Sequence, residues 1–215
     1  MIRLDLPRSR SPLRILCLGA HSDDIEIGCG GTILRLLAER KARVHWVVFS
    51  ATSTRAREAR KGASLFLQGS DTSAVAVRRF RDGYFPAQFA AIKDEFERLK
   101  RRISPDLIFS PWRHDAHQDH RTVAELAWNT FRDHLILEYE IPKYDGDVGQ
   151  PEVFLPLSEK TCRQKIAFLQ EAFRSQADRQ WFDSDTFWSL LRLRGIEANS
   201  PGGFAEAFHC RKVVL

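Results

Sequence analysis

The chain has 215 residues, enough for one domain with a core of its own. Its formal charge of +5 permits an anionic partner without demanding one. Four cysteines, Cys17, Cys29, Cys162 and Cys210, form no Cys-x-x-Cys pair, which argues against a disulfide framework and for a reducing compartment. No apolar run approaches the length of a membrane span, and the N-terminal basic residues lead directly into a core strand, so no signal peptide is read. A cytoplasmic location is the expectation.

Residues 1–12 read as a flexible basic lead-in, and 13–215 as a single domain. The apolar run from Leu13 to Gly19 predicts a buried strand. It ends in a polar turn, Ala20-His21-Ser22-Asp23-Asp24, followed by Gly28, Gly30 and Gly31 and a helix from Thr32 to Arg40. A second strand is read over Val44 to Ser50 and a helix over Arg55 to Gln68. Ala74 to Val77 follows as a short third strand, then the basic cluster Arg78, Arg79 and Arg81 and an Asp82-Gly83 turn. Phe89, Ile92, Phe96 and Leu99 recur at helical spacing within Gln88 to Ile103. Asp106 to Ser110 is a fourth strand, and it opens into a second polar loop, His114-Asp115-Ala116-His117-Gln118-Asp119-His120, ahead of a helix over Thr122 to Phe131.

The last third reads as a strand over Leu135 to Ile141, a Gly/Asp-rich loop over Lys143 to Pro151 and a short strand at Val153 to Leu155. A helix over Ser158 to Phe173 comes next, then a helix from Ser184 to Arg194 ended by Gly195, and a closing strand over Phe208 to Leu215. The strand–helix alternation predicts a Rossmann-like three-layer α/β/α fold with a mostly parallel sheet. Its site is expected at the C-terminal ends of the strands.

Both polar loops follow strands, so both belong to one edge of the sheet. That edge brings His21, Asp23, Asp24, His117, Asp119 and His120 within reach of each other. Two imidazoles and a carboxylate suit zinc with a position left for water, and a neighbouring carboxylate can act as a base. The glycines after the first turn do not follow Gly-x-Gly-x-x-Gly, and Asp23 and Asp24 would repel a pyrophosphate. Their expected role is close packing of the first helix on the sheet, at φ values other residues dislike.

Gly19-Ala20-His21-Ser22-Asp23-Asp24, Gly28-Cys29-Gly30-Gly31-Thr32 and His117-Gln118-Asp119-His120-Arg121 together resemble the PIG-L/LmbE-like family of zinc-dependent N-deacetylases. Arg55-x-x-Glu58, Ser175-Gln176, Arg194-Gly195 and Ala205-Glu206-Ala207-Phe208 resemble its later landmarks. Ser22 stands where the family usually has proline. Ile25 stands where it has glutamate, with Glu26 one place later.

The resemblance implies one Zn2+ per chain held by His21, Asp24 and His120, with Asp23 as general base. It implies that a protonated His117 stabilises the oxyanion, and that Asp119 hydrogen-bonds His117, orients it and raises its pKa. Arg55 and Arg194 would hold a substrate hydroxyl or phosphate. The implied substrate is an N-acetylated sugar or sugar conjugate, and the positive charge mildly favours an anionic one. Nucleic acid is not an expected partner, and a homo-oligomer stays open. Two other readings are weighed: a two-metal phosphoesterase, short of carboxylates, and a basic α/β module binding nucleic acid or an anionic polymer through Arg78 to Arg81 and Lys100-Arg101-Arg102. His114 reads as supporting or surface, and His45, His134 and His209 as chemically silent.

Overall fold

The structure, a computed structural model, describes residues 11–214. The lead-in expected over 1–12 therefore lies mostly outside the described residues, as does Leu215. The chain alternates β1 (Leu13–Gly19), α1 (Asp24–Glu39), β2 (Ala42–Val48), α2 (Ser53–Phe66), β3 (Thr72–Val77), α3 (Phe89–Arg102), β4 (Leu107–Pro111) and α4 (Gln118–Thr130). It continues with β5 (Leu135–Tyr139), β6 (Val153–Leu157), α5 (Glu159–Ala172), α6 (Ser184–Glu197) and β7 (Phe204–His209). A short 3-10 turn, Phe85–Gln88, precedes α3.

The strands form one mixed sheet in the order β3-β2-β1-β4-β5-β7-β6. From β3 to β5 every pairing is parallel, and β7 runs antiparallel to both β5 and β6. The expected three-layer α/β architecture with a mostly parallel sheet is thus present. One core packs α1, α2, α5 and α6 against one face through Ile33, Trp46, Phe66, Phe109, Leu169 and Phe208. The other packs α3 and α4 against the opposite face through Leu16, Phe49, Phe96, Ile108 and Leu126. Sandwiched this way, β1 and β4 are buried on both faces and read as continuous apolar runs.

The chain winds outward from β1 through β2 to β3, then returns to place β4 on the other side of β1. The carboxyl ends of β1 and β4 therefore flank the point where strand order reverses, the place in open α/β sheets where the loops part into a crevice.

Three details differ from the sequence reading. Helix α1 begins at Asp24, so Gly28, Gly30 and Gly31 lie inside it, and none has a positive φ. Close packing alone accounts for them: a Cβ at Gly28 would overlap the Tyr139 ring, one at Gly30 the Phe66 ring, and one at Gly31 the Leu157 side chain. Helix α6 runs through Gly195 to Glu197, and Gly195 serves packing in place of a stop, since a Cβ there would strike the backbone of Gly203. The closing strand occupies Phe204–His209, earlier than expected, and carries the Ala-Glu-Ala-Phe stretch into the core.

That stretch explains two buried charges. The Glu206 carboxylate accepts the backbone N–H groups of Gly31 (2.8 Å) and Thr32 (2.6 Å) in α1. Lys165 of α5 donates to Glu206 (2.6 Å) and to the Ile27 carbonyl (2.5 Å). A buried ion pair is tolerated only when such hydrogen bonds satisfy both partners. Here they also fix α1 against β7.

Candidate active site

Strand β1 delivers Ala20 and His21 to the sheet edge, and the chain turns at once into α1. Asp23 precedes the first helical residue, and Asp24 lies in the first turn. The His21 backbone N–H donates to Asp24 Oδ2 at 2.7 Å, which fixes the carboxylate over the turn. A carboxylate is favoured there by the positive end of the helix. Across the crevice, His117 immediately precedes α4, and Asp119 and His120 fall in its first turn.

The two loops meet. His21 Nδ1 lies 3.1 Å from His120 Nε2, Asp24 Oδ2 is 3.4 Å from His120 Nε2, and it is 3.6 Å from His21 Nδ1. These are the edges of one triangle of donor atoms. Tetrahedral zinc with N/O bonds of 2.0–2.1 Å separates its ligand atoms by about 3.3 Å, so the triangle has the dimensions of one face of such a site. His117 stands beside it, its ring 4.7 Å from that of His21 and 4.8 Å from that of His120. His21, His117 and His120 thus form a second donor set able to hold a metal ion.

Each imidazole in the triangle has a carboxylate behind it. His120 Nδ1 lies 2.9 Å from Asp115 Oδ2, and Asp115 in turn is 2.9 Å from the Lys143 ammonium. His21 Nε2 lies 3.0 Å from Asp82 and 3.4 Å from Asp119. Outer carboxylates of this kind fix the ring orientation and raise the basicity of metal-ligating histidines.

The electrostatics agree. Burial works to raise the Asp24 carboxyl, but His120 and His21 outweigh it and hold it well below the ordinary carboxylate range. Burial works against protonated His120, yet Asp24 and Asp115 push it up to about 9. His21 is likewise raised well above its ordinary value against burial, by Asp24, Asp119 and Asp82. A field that draws protons onto both imidazoles draws a divalent cation for the same reason, and the two compete for the same nitrogens.

Asp23 is buried, and burial raises its carboxyl despite the opposing charge of Arg55. Arg55 Nη2 lies 2.7 Å from Asp23 Oδ2, and Nη1 lies 2.6 Å from Glu58. Glu58 accepts the backbone N–H of Ser175 at 2.8 Å and its hydroxyl at 2.7 Å. The Arg-x-x-Glu and Ser-Gln landmarks are one network behind Asp23, and the Arg55 side chain meets Asp23, Glu58, Ser175 and the Phe173 ring, all partners within the protein.

Asp119 does not bond the His117 side chain as expected. Its carboxylate accepts the backbone N–H groups of Gly83 (2.7 Å) and Phe85 (3.0 Å) and faces His21. His117 Nδ1 instead accepts the backbone N–H of Asp119 at 3.2 Å, capping α4. Nor is the His117 pKa raised: burial lowers it, and His120 and His21 add to the effect. An accepting Nδ1 leaves the proton on Nε2, so His117 presents an N–H donor in its neutral form.

Arg194 is not part of this cluster. It is buried in α6, bonded through Nε and Nη2 to Glu140, through Nη1 to both oxygens of Glu197, and through Nη2 to the Gly149 carbonyl. All five guanidinium N–H groups are thereby taken, and none remains for a substrate. Glu26, too, contributes none of the donor atoms of the triangle. It is fully buried, with its carboxylate beside Gly62, and burial raises its pKa well above the ordinary value. Ile25 is core.

Asp82, Asp115 and Lys143 were not anticipated. Asp82 follows β3, a third parallel strand ending at the same edge, and that placement was the available signal. Asp115 lies five residues before His120, within the polar loop itself.

The family described as GlcNAc-PI de-N-acetylase, PIG-L, matches residues 16–131, from β1 through α4 and so across both polar loops. Among solved structures, a conserved protein from Thermus thermophilus shares 23% identity over 94% of this chain and 96% of its own, with a TM-score of 0.72. N,N'-diacetylchitobiose deacetylase from Pyrococcus horikoshii shares 20% identity over 92% of this chain and 83% of its own, with a TM-score of 0.72. The 4-carboxy-2-hydroxymuconate hydratase of Pseudomonas putida shares 18% over 94% of this chain and 98% of its own, with a TM-score of 0.71. At these identities the likeness carries the fold, and the fold hosts more than one chemistry. No helix among the described residues is long and apolar enough to cross a membrane. The family match spans more than half of the chain and includes every residue of the donor triangle: the chain belongs to the PIG-L family.

Proposed function

We propose that the chain is a zinc-dependent hydrolase that removes an N-acetyl group from an amino sugar or glycoconjugate. The observation that supports this reading best is the donor triangle of His21, Asp24 and His120, with Asp23 beside it in sequence but turned to Arg55. A zinc ion held by those three residues would acidify a bound water and polarise the acyl oxygen. Asp23 takes a proton from the attacking water as its oxygen bonds the acetamide carbon. His117 donates its Nε2–H to the carbonyl oxygen as negative charge builds there. Asp23 then returns its proton to the leaving nitrogen as the C–N bond breaks, so water and amide become acetic acid and a free amine, which share the remaining acid proton as acetate and ammonium in water.

The supporting residues have separate tasks in this reading. Arg55 keeps the Asp23 carboxylate oriented. Asp119 and Asp82 orient His21, and Asp115 orients His120. The group of His21, Asp82 and Asp119 is itself able to hold a cation, but it shares an imidazole with the triangle, and the Asp82 side chain is 72% exposed. Orientation of His21 accounts for it without a second metal.

Purified protein is expected to hold about one zinc per chain. Acetate release from N-acetylated sugars, nucleotide sugars and thiol-linked glycosides identifies the substrate class. Protein that retains zinc yet releases acetate from none of them overturns the reading, as does full activity of Asp23→Ala.

A further inference from the structure

A second concave region lies outside the candidate active site. It is a half-open concavity of about 700 Å³ between the outer face of α4, the loop after β4 and the segment after β7. Neither His21, Asp24 nor His120 lines it. Its walls carry Arg113, Arg121, Arg132, Arg211 and Lys212 around Trp128, with Glu125 as the one carboxylate.

Part of the wall is anchored on a buried carboxylate. Glu138, fully buried behind it, accepts the Arg113 backbone N–H at 3.2 Å and Nε–H at 3.0 Å, pairs with Nη2 at 2.9 Å, and accepts the Trp128 indole N–H. Arg113 and Arg211 both stack on the Trp128 ring, their guanidinium carbons 5.0 and 5.2 Å from its centroid. Arg121 Nη1 clips the carbonyls of Asp115 (2.8 Å) and Ala116 (2.5 Å), which leaves its other nitrogens toward the cavity. Arg132 uses only Nε, on the Asn129 carbonyl, and Lys212 donates to the Arg132 carbonyl. Among the described residues, no carboxylate lies within ion-pair distance of Arg121, Arg132, Arg211 or Lys212.

Cations held together without counter-charge repel each other unless an anion joins them. Guanidinium forks match phosphoryl oxygens two at a time, and four cations without an ion pair, set against the single carboxylate of Glu125 on the wall, leave an excess that calls for more than one negative charge. A concavity of this volume accommodates a small molecule. The geometry points to a binding site here for a small polyanion carrying adjacent phosphoryl groups, of the diphosphate class, separate from the donor triangle. It stands independently of the deacetylase reading.

Isothermal titration calorimetry with inorganic pyrophosphate and inorganic phosphate, at fixed ionic strength, tests it. Saturable binding of one pyrophosphate per chain is expected, tighter than phosphate and weakening as salt rises. The exposed pair Arg132→Glu and Arg211→Glu should lower the affinity by about tenfold for each lost charge-assisted hydrogen bond. The neutral pair Arg132→Gln and Arg211→Gln should give the same order with a smaller loss, and melting curves confirm that each variant is folded. His21→Ala, which removes a metal ligand, should leave pyrophosphate binding unchanged. Absence of saturable binding overturns the assignment, as does binding that survives charge reversal or disappears in His21→Ala. A single-stranded oligonucleotide that binds more tightly as it lengthens, and that pyrophosphate cannot displace, replaces the small ligand with a polymer.

Discussion

Arg55 and Asp23 form a 2.7 Å ion pair, and the arginine is itself braced by Glu58. An arginine so placed governs how the carboxylate points. Arg55→Ala should therefore lower kcat by about a hundredfold, the scale of a misplaced catalytic group, with a small change in KM. A rise in KM at unchanged kcat would instead assign Arg55 to uniform substrate binding. Asp23→Ala should retain its zinc and lose about a hundred- to ten-thousandfold in kcat, as expected for loss of a general base. Metal analysis and acetate-release kinetics on the same preparations decide both.

Asp119 and Asp115 stand behind the two imidazoles of the triangle, so under the zinc reading their first effect would be on metal retention. Asp119→Asn and Asp115→Asn should each weaken zinc binding by about ten- to a hundredfold, measured by competition with a chelator. His117→Ala should leave zinc affinity nearly unchanged and reduce kcat by about a hundred- to a thousandfold, the scale of a lost oxyanion donor. If His117→Ala loses the metal, His117 is a ligand, and the donor set of His21, His117 and His120 replaces the one proposed.

Gly28 has no room for a side chain, because the Tyr139 ring lies where its Cβ would go. Gly28→Ala should destabilise the fold by about 1–3 kcal/mol through overpacking. Tyr139→Phe keeps the ring and removes the hydroxyl that donates to the Leu18 carbonyl at 2.6 Å. It should cost about 1 kcal/mol, from one lost hydrogen bond and a buried carbonyl left unpaired. Denaturant unfolding of the two variants separates shape from hydrogen bonding.

Lys165→Met leaves Glu206 buried without its cation, and should cost about 3–5 kcal/mol. Glu206→Gln should cost less, because an amide oxygen can still accept one of the α1 N–H groups. The double variant Lys165→Met with Glu206→Gln is expected to be more stable than Lys165→Met alone, since no charge is left uncompensated. Melting temperatures of the three proteins report the order directly.

The sheet and the six residues of the two polar loops were legible in the sequence, because buried parallel strands are apolar runs and each loop follows one. Loop-to-loop proximity followed from topology alone. The partners of those six residues were less legible. The pairing of Asp119 with backbone N–H groups of Gly83 and Phe85 depends on where the loop after β3 lies, and no periodicity encodes that. The burial of Arg194 was hidden for a similar reason. Its partners Glu140 and Gly149 belong to a loop whose path is set by tertiary packing, so a lone arginine near a helix end looked free. Start and stop signals misled at both glycine stretches, where the absence of a side chain serves a neighbour and not a turn.

The triangle also works as a test of sheet assembly. Its halves come from segments that follow β1 and β4, whose pairing sets Ile15 opposite Leu107, Leu16 opposite Ile108 and Cys17 opposite Phe109. Sliding one strand by a single residue would carry His120 about 3.3 Å along the sheet, as far as one whole edge of the triangle. Only the native alignment brings the three donor atoms together. Uptake of a metal ion during refolding would thus mark the moment when two strands, separated in sequence by three helices and two strands, have found their correct register.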